Sequence, residues 1–179
     1  MAKVRVICNT SPIIGLLAIN RLELLEKLFD EIYIPEAVYR ELCINAEKYS
    51  HEVEQIRKKV ESGIFVVYQV KNADVVKKLY GRLHYGELEV IVGAKELDIS
   101  LAIIDETNAR KMASEFLVDT LGILGIVTQA KRKGLVKEVK SELDVLRKSG
   151  YRISDKLYYS VLEQNGELNK GEDCGNNGL

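Results

Sequence analysis

The chain has 179 residues, 46% of them hydrophobic and 30% charged, the usage of one globular domain with a real core and not of a disordered chain. Its 26 Lys and Arg against 27 Asp and Glu leave a net charge of -1, which neither demands nor excludes nucleic acid, because phosphate binding depends on local patches. No apolar run approaches the roughly 18 residues of a membrane-spanning helix, and the three cysteines (Cys8, Cys43, Cys174) form neither a disulfide framework nor a zinc motif; a cytoplasmic protein with no membrane partner is expected.

Val4 to Cys8 is a compact β-branched run and reads as a strand, with Lys3 before it and the polar Asn9-Thr10-Ser11 after it. Pro12 suits the first turn of the helix that follows. Leu22, Leu25, Leu28 and Phe29 have the spacing of a buried helix face. Ile32 to Ile34 is a short strand ended by Pro35, Glu36 to Leu42 a helix, and Ala46 to Glu61 a long polar helix stopped by Ser62-Gly63. Ile64 to Val70 is strand-like, and Val75 to Leu79 gives a helical turn or two. Gly86 precedes a helix over Glu87 to Leu97, which Asp98 ends; Ser100 to Ile104 has the unbroken apolar character of a central parallel strand. A helix over Thr107 to Phe116, a short strand at Leu117-Val118 and an apolar helix from Ile123 to Lys131 complete the pattern. Cys8 and Cys43, in apolar contexts, read as small buried hydrophobes.

Strand-then-helix repetition predicts an α/β domain, a mostly parallel sheet with helices on both faces. Residues 1–134 form the expected core. Residues 135–168 form a helical carboxyl-terminal extension packed on the same domain, with Gly150 between two helices, and residues 169–179 a disordered tail.

In such sheets ligands bind in the crevice at the carboxyl ends of the strands. Asn9, Thr10 and Ser11 follow the first strand there, Asp105 and Glu106 the strand ending at Ile104, and Asp119 and Thr120 the run at Leu117-Val118. Glu41 lies in the helix after the second strand, and Glu87 and Glu89 begin another helix. Carboxylates converging from separate elements hold hard cations such as Mg²⁺ or Mn²⁺, and a bound water can then attack a phosphodiester. A plainer reading stands beside this one. Acids at helix starts complement the dipole, so Glu87 serves equally as a cap and Glu41 as a solvated helix residue. Spacing alone leaves both open.

Five ordered motifs carry a resemblance. Val6 to Leu17, Ile34 to Leu42, His84 to Ala94, Ile104 to Arg110 and Asp119 to Gly125 resemble PIN-domain proteins, closest to an uncharacterised prokaryotic branch. Gly134 to Val136 and Gly150 to Ser154 look like that branch's carboxyl-terminal extension. The resemblance implies a three-layer α/β/α fold and a metal-dependent ribonuclease using Mg²⁺ or Mn²⁺, related to VapC-type toxins that a small antitoxin neutralises. Carried over by motif, the acids fall at Asn9, Glu41, Glu87 and Asp105, or Glu106 in place of the last. Glu89 is the reserve, and Thr10 or Ser11 would position the water or a phosphate oxygen. Asn9 departs from the pattern: an amide brings no charge to a metal and is a poor proton acceptor. The resemblance therefore permits a slow enzyme or a degenerate site in a nucleic-acid-binding or regulatory protein, with Asp119 as a candidate to restore the missing charge.

Other polar residues have weaker readings. Lys131, Arg132 and Lys133 contact an RNA backbone or form a solvated helix end. Arg110 either binds phosphate or pairs with Glu106, and His84 is a minor candidate for proton transfer. Gly122 and Gly125 lack the Lys-Ser/Thr of a phosphate loop; Gly122 suits a turn and Gly125 close helix packing. Ser11 lacks a histidine partner for nucleophilic catalysis. Tyr158-Tyr159 read best as packing. A homodimer is a further expected partner state.

Overall fold

The computed structural model describes residues 3–44 and 50–168; the expected start of the polar helix at Ala46 and the expected disordered tail lie outside them. Five parallel strands form one sheet: β1 (Arg5–Cys8), β2 (Glu31–Pro35), β3 (Phe65–Tyr68), β4 (Leu101–Ile103) and β5 (Asp119–Leu121), in the order β3-β2-β1-β4-β5. Helices flank it to give the three-layer α/β/α architecture: α1 (Thr10–Ala18), α2 (Glu23–Leu28), α3 (Glu36–Ile44), α4 (Ser50–Glu61), α5 (Ala73–Leu79), α6 (Tyr85–Glu96), α7 (Thr107–Glu115), α8 (Ile123–Arg132), α9 (Val139–Lys148) and α10 (Asp155–Gln164).

β1 is the central strand because its side chains can face apolar matter on both sides. Val6, Ile7 and Cys8 are fully buried, and Val6 and Ile7 each contribute on the order of 2 kcal/mol by leaving water. Burial also pushes the Cys8 thiol up, so it stays protonated; Cys43, expected to be buried too, is only half-buried. The chain leaves β1 towards β2 and β3, then returns past β1 to build β4 and β5. That reversal opens a crevice beyond the carboxyl ends of β1 and β4.

Helix α6 is buried along most of its length through Leu88, Val90, Ile91 and Ala94, and packs on β1, β2 and β4. Its carboxyl end is fixed beside the start of β1, where the Arg5 guanidinium donates to the carbonyls of Leu97 and Asp98 at 3.0 and 2.9 Å, a cation complementing the negative end of a helix. The amino end of α6 therefore arrives at the opposite edge of the sheet, beside the crevice.

The last strand is displaced from its expected place. Leu117 takes a left-handed φ of 57° where α7 ends, and pairing starts at Asp119, which lies level with Leu101 of β4. An exposed Leu in a turn imitated the first residue of an apolar strand. In the extension, α9 packs on α8 and α1, and α10 on α9. Val139, Leu143 and Leu146 join the same core as the sheet, and Arg21 fastens to Glu142 of α9 at 2.9 Å.

Candidate functional site

Asn9 sits where β1 gives way to α1. Its backbone N–H continues the ladder to the Ile103 carbonyl (3.0 Å), and its side-chain oxygen accepts the Thr10 N–H (2.9 Å), which caps the helix. It is 5% exposed. Thr10 in the first turn donates through Oγ1 to Oε2 of Glu41, which α3 presents because α3 packs on both α1 and α6. Gly86 makes room for that carboxylate: a Cβ there would stand 2.7 Å from Glu41 Oε1. One residue on, Glu87 folds back to accept the His84 N–H at 3.0 Å. Asn9, Thr10, Ser11, Glu41, His84 and Glu87 thus line one cleft of about 540 Å³, with Tyr80 and Tyr85 at its lip.

Burial is the main reason the Glu87 carboxyl is pushed above its ordinary value; the His84 N–H pulls it back, and the negative charges of Glu106 and Glu41 push it further up. Those three acids are neighbours. An adjoining cleft of about 390 Å³ passes from His84 and Glu87 to Glu106 and Asn108. Between the two residues that the family pattern left as alternatives, Glu106 is the one that shares a cleft with Glu87. Its Oε2 also caps α7 by accepting the Ala109 N–H at 2.7 Å.

Asp105 lines a different cleft, of about 570 Å³, with Ser11, Glu106, Arg110, Tyr151 and Arg152. Its Oδ1 accepts the Ile123 N–H at the start of α8 (2.8 Å), and its Oδ2 accepts the Tyr151 hydroxyl from the extension. Burial pushes its carboxyl up, while the two donors and the charge of Arg110 pull it down. Tyr151 is raised in turn by burial and by the Asp105 charge. Gly122 is needed beside this pair, since a Cβ there would lie 2.6 Å from Asp105 Oδ1.

The remaining candidates lie apart. Glu89 caps the start of α3 by accepting the Ala37 N–H at 3.0 Å. Asp119 begins β5 level with Leu101, two residues short of the Ile103–Leu121 pair at the crevice edge, about 7 Å down the strand; it lines none of the three clefts. Arg110 donates to Thr120 Oγ1 at 3.2 Å and forms no ion pair with Glu106. Lys131, a candidate RNA contact, is held instead by Glu167 at 2.6 Å and the Asn165 carbonyl at 2.7 Å, whereas Arg132 is exposed. Gly125 does serve close packing, against Leu121.

Among the described residues no group of three or more His, Cys, Asp or Glu is placed to hold a metal ion. The donor set explains it. Asn9 supplies an uncharged amide already bound to Thr10, both Asp105 oxygens have protein donors, and Asp105 lines a different cleft from Glu41 and Glu87. These residues, so arranged, do not fit a resident divalent cation.

The PIN domain model matches residues 5–167. The chain belongs to the PIN-domain family. No curated protein and no solved structure matches it. Within this PIN domain, Tyr151 and Arg152 are the site residues that the motifs did not single out. They lie 46 and 47 positions beyond Asp105 in sequence, and only the docking of α9 against α1 and α8 brings them to it. Nor do Tyr80, which lies outside the five motifs, and Tyr85, whose motif points first to its acids, stand out in the sequence. No helix among the described residues is long and apolar enough to cross a membrane.

Proposed function

We propose that this PIN-domain chain binds nucleic acid at the crevice beyond β1 and β4 and is catalytically weakened there, acting as a binding or regulatory protein more than as a ribonuclease. Asn9 carries this reading: at the end of the central strand, where the family pattern calls for an acid, a buried amide is committed to capping α1. An amide oxygen adds no charge to offset a hard cation, and it accepts a proton from water poorly. Asp105, with both oxygens occupied by protein donors, compounds the loss. Fold does not separate binder from enzyme, since both use the same scaffold.

Incubating mixed RNAs with wild type in Mn²⁺ or Mg²⁺, alongside Asn9→Asp and Glu41→Gln/Glu87→Gln variants, tests the reading. Wild type is expected to bind RNA yet cleave no faster than the double variant, and Asn9→Asp to gain metal-dependent cleavage. Cleavage by wild type that the double variant loses would restore the ribonuclease reading, including kinship with toxins held by an antitoxin.

A further inference from the structure

We propose that the segment from Lys77 to Tyr85 is a base-stacking platform for single-stranded RNA at the lip of the acidic cleft. This deepens the nucleic-acid reading above and rests on it. The segment reads Lys-Lys-Leu-Tyr-Gly-Arg-Leu-His-Tyr, and its side chains divide sharply. Leu79 and Leu83 pack on the core; Lys77, Lys78, Tyr80, Arg82, His84 and Tyr85 are exposed.

Tyr80 is 64% and Tyr85 38% exposed, so each ring presents surface to solvent at the cleft. Their centroids are 5.5 Å apart with planes tilted by 56°, so neither ring covers the other face to face. The loop between them is fixed. Gly81 turns with a φ of +95°, the Arg82 N–H donates to the Leu79 carbonyl at 3.2 Å, and Glu87 holds the backbone at His84. Placing the rings therefore costs a ligand little ordering.

Charge selects the ligand. Lys77, Lys78 and Arg82 enter no ion pair among the described residues, whereas the cleft floor is acidic through Glu41 and Glu87. A phosphate backbone is repelled by that floor and attracted to the rim. Its bases then lie over the tyrosines, which is how single strands are held: π-faces on aromatic rings, phosphates on a cationic track. A duplex keeps its base faces stacked within itself and offers none to the rings. An acidic peptide would satisfy the cations and leave the rings unused.

The sequence contains no tryptophan, so Tyr80→Trp places a sole indole on the platform. In EDTA, labelled oligouridylate titrated by anisotropy should bind wild type and Tyr80→Trp equally well, with the indole quenched in proportion to binding. Tyr80→Ala should weaken binding about tenfold, and Tyr80→Ala/Tyr85→Ala further. Arg82→Ala should flatten the salt dependence by about 0.7 in logarithmic slope. The thermal melt of Tyr80→Ala should match wild type, because that ring is 64% exposed. Unchanged affinity in the double alanine variant, or no quenching at saturation, overturns the platform while leaving the nucleic-acid reading intact. Equal binding and quenching by duplex RNA or by polyglutamate overturns the single-strand assignment. Failure of wild type to bind any RNA overturns both readings.

Discussion

The crevice beyond β1 and β4 has two sides built from similar residues and held differently. On the side of α3 and α6, Glu41 and Glu87 border one cleft; Glu41 accepts the Thr10 hydroxyl, and Glu87 accepts a backbone N–H at the start of its own helix. On the side of α8, both oxygens of Asp105 are engaged: one fixes the start of α8, and the other takes a proton donor from the extension. Burial pushes both Glu87 and Asp105 upward, yet of these two only Asp105 links separate parts of the fold. Of the two motif carboxylates, Glu87 thus serves the start of its own helix beside a cleft, whereas Asp105 is a structural joint. The difference lies in the donors that surround each.

Removing the joint should produce the largest effect. Asp105→Ala strands the Ile123 N–H and the half-buried Tyr151 hydroxyl, at about 3 kcal/mol, and should lower the melting temperature by about 6–12 °C. Glu87→Ala, which gives up one N–H at the start of its own helix, should cost much less; equal losses in thermal unfolding would erase the contrast between the two sides.

The glycines beside the carboxylates sharpen the contrast. Gly122→Ala would press a methyl on Asp105 Oδ1, an atom that cannot retreat without releasing α8, and should cost about 2 kcal/mol in denaturant titration. Gly86→Ala meets the far end of the Glu41 side chain at a comparable distance. That carboxylate can swing aside, and alanine is the better helix former by up to about 1 kcal/mol, so stability should hold or rise. A loss at Gly86 as large as at Gly122 would mean that Glu41 is as firmly held as Asp105.

The smallest effect concerns protons. Because the Glu87 carboxyl is raised above its ordinary 4.5 by burial, the folded state holds that proton more tightly than the unfolded chain does. The resulting stabilisation is complete below pH 4.5 and is lost as pH rises through the raised value. Glu87→Gln keeps an acceptor for the His84 N–H without the charge, so it should melt a few degrees above wild type at pH 7. The gap should close below pH 4.5. A gap independent of pH would show that the charge at Glu87 is not what destabilises this side.

Much of this molecule could be read in one dimension. The β-branched run at Val6 and Ile7, the helix spacing around Leu25 and Leu88, and the ordered PIN motifs foretold a parallel α/β sheet; the motifs also grouped Asp105 with Asn9, Glu41 and Glu87, whereas Asp105 lines a different cleft from those three. The errors arose where local pattern gave no direction. Leu117-Val118 looked like a strand although a left-handed turn moves pairing to Asp119, and that shift takes Asp119 away from the crevice. Lys131 looked like a cation awaiting phosphate until Glu167, 36 residues later, reached it.

Periodicity and motif order are local, and a sequence displays them directly; they determined the fold, its strand-end crevice and the amide at position 9. Which oxygens stay open in that crevice was decided by packing. The turn at Gly122 and the docking of α9 bring donors to Asp105, while the bare Gly86 lets Glu41 lean over α6. Hydrogen bonds between residues dozens of positions apart form only when whole elements settle against one another, and no short window of sequence contains both partners.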